Sequence, residues 1–221
     1  DLPLSIRRQR QMCIRDSADT VNPTAQTKAG SATLYVNPAR GNDAGSGATA
    51  SAPLKTISRA LSLAGPGTIV QLAPGTYSVE SGESFPLRVP PEVSVVGNAA
   101  TRGEGVTVVG GGFFMSPSFA RQNVGFVFLN GGRLSGVTAT NPNSRGSGVW
   151  VEDGQPVLSS NTFTRNAREG VFVTGQSAPL VENNVFQRNT GNGIALTRSN
   201  RAIVRSNLFQ ATGYALAIGG S

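Results

Sequence analysis

Three segments of this chain, NTFTRN (161–166), NVFQRN (184–189) and NLFQAT (207–212), carry nearly the same six letters at a spacing of 23 residues. A period of roughly 20–50 residues marks a stacked architecture, a solenoid or a propeller. Aligned on Asn161, Asn184 and Asn207, the residues Phe163, Phe186 and Phe209 coincide. So do Val157, Leu180 and Ile203, and beside them Leu158, Val181 and Val204. Asn166 and Asn189 share a column that Thr212 fills in the third copy, and Gly170 and Gly193 follow the first two Asn by nine residues. GNGIAL (191–196) matches GYALAI (213–218) after a one-residue deletion. Each unit holds short strands and no helix-length pattern. The period therefore predicts one turn of an all-β parallel β-helix, each coil laid on the last at a strand spacing of roughly 4.8 Å.

Stacked coils need columns. An Asn at a tight turn tolerates the left-handed conformation, and its amide can bond the Asn one coil away, as in other stacked ladders. A Phe column would stack ring on ring inside the coil. Asn161, Asn184, Asn207, Phe163, Phe186 and Phe209 are therefore expected to be structural, and a residue repeated for that reason is a poor catalytic candidate.

Composition narrows the chemistry. With 28 Gly, 13 Pro and 14% charged residues the chain is turn-rich, and it contains no run of apolar residues long enough for a transmembrane helix. The opening DLPLSIRRQRQMCIRDS (1–17) stands apart from the rest. It holds Cys13, the one cysteine, and lacks the apolar stretch of a signal peptide. It resembles translated sequencing-adapter read-through and is expected to be non-native. Removing its four Arg, Asp1 and Asp16 lowers the net charge from +7 to +5. The remainder has no Cys and no His, which excludes a disulfide framework, Ser-His-Asp and Cys-His catalysis, and His-ligated metal. Its positive charge is Arg scattered singly, without a basic stripe interleaved with aromatics. Nucleic acid is therefore not the expected partner, whereas an anionic polysaccharide is compatible.

Residues 18–32 are small, polar and aperiodic, and read as a disordered leader. Residues 33–66 read as an N-terminal cap: a short strand at Leu34–Val36, a turn-rich loop, then a helix with Ile57, Ala60, Leu61 and Ala64 on one face, Thr56 as N-cap and Gly65-Pro66 as terminator. Residues 67–221 read as the β-helix, ending inside a coil as a truncated fragment would. The repeat, N-x-F-x-x-N followed by G-[VI]-x-[VL], resembles the coils of the right-handed parallel β-helices of the pectin-lyase-like superfamily. Residues 34–78 resemble the start of the domain of unknown function 1565 family, through Tyr35-Val36, Gly41-Asn42-Asp43, Pro53, Thr56-Ile57, Ala60-Leu61, Gly67 and Pro74-Gly75-Thr76-Tyr77. The resemblance implies a helix capping the N-terminal end and a bacterial protein that is extracellular, periplasmic or on the cell surface. The superfamily includes polysaccharide lyases, hydrolases and epimerases beside non-enzymatic surface proteins. Calcium enters only through this resemblance; no cofactor is read from the residues themselves.

Alternation in GVWVEDG points Val149 and Val151 inward and Trp150 outward, and GVFVTG likewise turns Phe172 outward, with Ala195 next in line. Unless a loop folds over them, two aromatics on adjacent coils would form a sugar-stacking platform, with Glu152 and Thr174 near enough to bond hydroxyls. Arg165 and Arg188 share a column one strand spacing apart, able to grip a uronate or a sulfate or simply to splay into solvent. Glu182 and Arg205 share another. Asp43 is the one carboxylate of the glycine-rich RGNDAGSG, too few for a calcium loop. Glu152 and Asp153 face opposite ways on one strand, which does not suit glycoside hydrolysis. Lys28 and Lys55 lie outside the coils, so lyase chemistry would rest on Arg. Two functions follow. One is an exported or cell-surface β-helix with a structural or binding role, contacting polysaccharide or cell-wall glycan. The alternative is a polysaccharide lyase or glycoside hydrolase with an incomplete site. A surface adhesin assembling as a trimer is a third, weaker reading, since no coiled coil is present to drive it.

Overall fold

The computed structural model describes residues 32–198 and 201–219; segment 1–17 and the leader up to residue 31 lie outside these. The described elements, in order, begin with β1 (Thr33–Val36), the helix α1 (Ile57–Leu63), β2 (Ile69–Leu72), β3 (Gly75–Tyr77) and β4 (Leu87–Val89). Then come β5 (Ser94–Val96), β6 (Val106–Val109), β7 (Gly112–Ser116), β8 (Ala120–Phe128), β9 (Arg133–Ser135), β10 (Thr138–Thr140) and β11 (Gly146–Gly154). The last coils hold β12 (Val157–Ser159), β13 (Thr162–Thr164), β14 (Val171–Ser177), β15 (Leu180–Glu182), β16 (Val185–Gln187), β17 (Ile194–Leu196), β18 (Ile203–Arg205), β19 (Leu208–Gln210) and β20 (Leu216–Ile218). No described helix is long and apolar enough to cross a membrane.

The strands sort into three parallel sheets: β1-β2-β5-β9-β12-β15-β18, β3-β6-β10-β13-β16-β19 and β4-β8-β11-β14-β17-β20. From β2 onward the chain visits the three in turn, one of these strands in each per coil, which is a parallel β-helix. Register follows the sequence columns: Val157, Leu158 and Ser159 pair with Leu180, Val181 and Glu182, and those with Ile203, Val204 and Arg205. Phe163, Phe186 and Phe209 stack at centroid distances of 5.1 and 5.0 Å, each pair adding about 0.5–1.5 kcal/mol beyond burial. The inward residues of all three sheets form one core, with Val149, Val151, Val171 and Val173 fully buried.

The Asn ladder is as expected in its bonding. Asn184 Nδ2 donates to Asn207 Oδ1 at 3.0 Å and to the Leu158 carbonyl at 2.9 Å, while its Oδ1 accepts from both Asn161 nitrogens. The backbone differs from expectation by one residue. The left-handed positions are Ser160, Asn183 and Ser206, with φ of 55°, 56° and 53°, immediately before Asn161, Asn184 and Asn207. The preceding residue reverses the chain, which frees the Asn to aim its amide inward. A second ladder runs at the next corner, where Arg165 and Arg188 take the left-handed turn (φ 51° and 55°) and Asn166 Nδ2 donates to Asn189 Oδ1 at 2.8 Å. Asn166 Oδ1 in turn accepts the Asn141 N–H. Close approach explains the glycine column beside it. A Cβ on Gly170 would lie 2.7 Å from a Phe186 ring carbon and 2.8 Å from the Gly193 carbonyl oxygen.

At the N-terminal end, β1 pairs in parallel with β2, so the strand read as part of the cap is already a rung of the first sheet. Helix α1 buries Ile57, Ala60 and Leu61 in the core, and Thr56 caps it by accepting the Arg59 N–H. Asp43 accepts the Lys55 and Thr56 N–H groups and the Thr56 hydroxyl. Its role in the glycine-rich loop is thus to tie that loop to the helix start.

Candidate functional site

The one antiparallel pairing among the described strands is the hairpin β7–β8. It springs from Gly110-Gly111-Gly112, where a Cβ on Gly111 would lie 2.1 Å from Asn141 Nδ2. The hairpin folds back over the outer face of the third sheet. Phe114 and Val124 of the hairpin join Val127, Trp150, Phe172 and Ala195 in a second hydrophobic cluster, separate from the core. Phe119, at the tip, meets Trp150 and Phe172 edge-on, with centroids at 6.1 and 5.3 Å. Glu152 fastens the tip by accepting the Ser116 hydroxyl at 2.6 Å, the Ser118 N–H at 2.8 Å and Trp150 Nε1–H at 3.1 Å. Two arginines add to the attachment. Arg198 donates to the Ser118 carbonyl and Arg168 to Gln122 Oε1, while Gln122 donates to the Phe119 carbonyl.

This arrangement corrects the expected platform. Trp150 and Phe172 do point away from the core, but Trp150 is 0% exposed, Phe172 4% and Glu152 2%. The indole and phenyl rings stack on each other at 4.1 Å with an interplanar angle of 6°. Rings stacked from coil to coil turn their edges, not their faces, outward, so they would offer a sugar no flat surface even without the hairpin. Thr174 is buried as well. Glu152 and the two aromatics hold the hairpin down; they do not meet solvent.

The open site lies alongside. A cleft of about 460 Å³ is lined by Phe113, Phe119, Ala120, Arg121, Gln122, Asn123, Ser144 and Arg145. Phe113 is 62% exposed, and the Arg121 guanidinium sits 3.6 Å from its ring centroid. Arg121 and Arg145 are exposed, and neither belongs to an ion pair among the described residues, which are Arg168–Glu169 and Arg205–Glu182. The cleft thus combines apolar ring surface, two cationic forks, and amide and hydroxyl groups able to bond sugar hydroxyls.

None of these lining residues was singled out from the sequence, though a signal was present. The cleft forms where the repeat is interrupted. Thr107 pairs with Thr138, 31 residues on, whereas Thr162 pairs with Val185, 23 on; the hairpin occupies the excess. Asn141 precedes Gly148 by seven residues, whereas Asn166 and Asn189 precede Gly170 and Gly193 by four. The three added residues belong to the loop that carries Ser144 and Arg145. Arg165 and Arg188, predicted as a pair, are exposed on successive coils of that same corner, outside the cleft lining.

Carboxylates are not assembled for catalysis at the cleft. Glu152 and Glu169 are buried, Glu169 bonded to Ser147 and Arg168. Asp153 accepts the Gln176 N–H. Among the described residues no three of His, Cys, Asp or Glu come together to hold a metal ion. Displaced proton affinities lie instead at the capped end. Burial pushes the Glu83 carboxyl above its ordinary range, against hydrogen bonds from the Ser58 hydroxyl and the Ser58 and Ile57 N–H groups, and the nearby Asp43 charge adds to the rise. Burial, and the Glu83 charge after it, raises the Tyr77 phenol.

The fold is similar to that in a crystal structure of pectate lyase Pel9A, with a TM-score of 0.57 and 20% sequence identity over 83% of this chain. The chain spans about half of that one, 48% of its length. No curated protein matches the sequence. The family model described as protein of unknown function (DUF1565) matches residues 39–217, and the chain belongs to that family.

Proposed function

We propose that this protein is an exported β-helix domain that binds acidic polysaccharide in the cleft beside its hairpin and does not cleave it. The observation that carries this reading is the cleft itself: the exposed Phe113 ring with Arg121 against it, Arg145 on the facing loop, and Asn123, Gln122 and Ser144 between. An apolar ring suits a sugar face, an arginine fork suits a uronate carboxylate or a sulfate, and the amides suit hydroxyls. The similarity in fold to a protein named as a pectate lyase supports a polysaccharide as the ligand class. Binding without cleavage is favoured because no carboxylate lines the cleft, which leaves glycoside hydrolysis without its acid and base.

Calorimetric titration with oligogalacturonate, oligoalginate and a neutral glucan tests it. The expected result is binding of the acidic oligomers alone, weakened at least about tenfold in Arg121→Ala/Arg145→Ala, since charge-assisted hydrogen bonds are the strong ones. Equal affinity in that double variant, or preference for the neutral glucan, overturns the site. Release of unsaturated uronate product would replace the binding reading with the lyase one.

A further inference from the structure

We infer that the outer face of the β7–β8 hairpin docks on an anionic lipid bilayer, its apolar side chains entering the headgroup layer and the arginines around them holding lipid phosphates. The inference goes beyond the acidic-polysaccharide reading and does not depend on it. The hairpin alternates. Phe114 and Ser116 are buried, whereas Phe113 is 62% exposed and Met115 67%, and Pro117 and Phe119 at the tip are exposed as well. Phe113 and Met115 stand two residues apart on one strand, about 7 Å. Every second residue from 113 to 119 is thus apolar and open to solvent. Exposed apolar residues gathered in this way mark a contact surface. The row also runs past the cleft, for Phe113 and Phe119 border it and Met115 and Pro117 do not line it.

Charge decides what meets this face. Arg121 stands opposite Met115 in the hairpin register. The Arg121, Arg88 and Arg198 guanidinium carbons lie 3.6, 5.2 and 5.3 Å from the ring centroids of Phe113, Phe114 and Phe119, and Arg145 stands on the neighbouring loop. All four arginines are exposed. Residues 110–123 and 142–146 contain no Asp or Glu, and the carboxylates beneath the hairpin, Glu152 and Glu169, are buried. An apolar row ringed by charge of one sign does not match a protein surface, where both signs are mixed. It matches an anionic bilayer, which offers phosphates at its surface and hydrocarbon just below. An arginine lying along a ring can keep its fork at phosphate depth while the ring goes deeper.

The test is partitioning onto sedimented vesicles of phosphatidylcholine with 30% phosphatidylglycerol, against vesicles of phosphatidylcholine alone, for the wild type, Met115→Ser, Met115→Leu and Arg88→Ala. The four Arg of residues 1–17 are common to all four proteins, so the differences between variants carry the result. The wild type should bind the anionic vesicles, more weakly as salt rises, and leave the neutral ones. Met115→Ser should bind about tenfold less, the loss of one buried apolar side chain, and Met115→Leu about as well as the wild type. Arg88→Ala should lose about fivefold, one charge near the surface. Met115→Ser should still take oligogalacturonate like the wild type, which separates failure here from failure of the cleft. Equal partitioning onto neutral vesicles, no partitioning at all, or anionic binding indifferent to Met115→Ser overturns the inference. A dimer seen by sedimentation without lipid, and lost in Met115→Ser, would give the face to a second copy of the chain and overturn it too.

Discussion

At the residue scale, asparagines at two of the corners connect successive coils. Asn184 accepts from two nitrogens and donates to two oxygens, all of these bonds buried except the one to Asn207, which is part-buried. Asn184→Ala strands the Asn161 N–H and the Leu158 carbonyl as well as the neighbouring amides. With about 1–3 kcal/mol for each buried polar group left unpaired, the variant should lose several kcal/mol in chemical denaturation. Gly170→Ala should cost about 1–3 kcal/mol by overpacking, its new methyl pressed against Phe186 and the Gly193 carbonyl. The ladder, the Phe column and the inward valines were legible in the sequence because identical coils write identical letters. The left-handed residue was placed one position late, since Ser160, Asn183 and Ser206 share a conformation but not a side chain. Asn141 escaped notice because three extra residues separate it from its glycine.

At the scale of elements, the hairpin and the helix are the departures from regular coil, and each is secured by a buried carboxylate. Glu152→Ala would leave the Ser116 hydroxyl, the Ser118 N–H and Trp150 Nε1–H without their acceptor. The hairpin should loosen, and Trp150, the single tryptophan of the chain, should become measurably more open to acrylamide quenching than in the wild type. The outward direction of Trp150 and Phe172 was readable from alternation. Their burial was not, because the segment that covers them lies outside the repeat and its register is set by packing on the third sheet. Glu83 gives the other end a pH dependence. Its folded-state proton affinity is raised by burial, so the folded state binds more protons than the unfolded one between the ordinary carboxylate pKa and the raised value. Stability is therefore greatest below that interval and falls as pH rises through it. Glu83→Gln should flatten this slope in thermal melts taken across the acidic range.

On the scale of the whole molecule, regular stacking builds a rigid column, and interruption of the stacking builds a surface. The coils whose columns match carry structural ladders; the coil with the hairpin insertion and the next, with a longer corner, frame the cleft. The core shows why the two are kept apart. A ladder residue must fit its neighbours above and below, whereas an inserted segment is free to present Phe113, Arg121 and Arg145 to solvent. The most direct measurement is hydrogen–deuterium exchange of the protein with and without a uronic acid hexamer. Slowed exchange at 112–123 and the corner at 142–146, with unchanged rates in β12, β15 and β16, is the predicted result. Protection centred on α1 and the capped end, or none anywhere at saturating oligomer, would contradict the account.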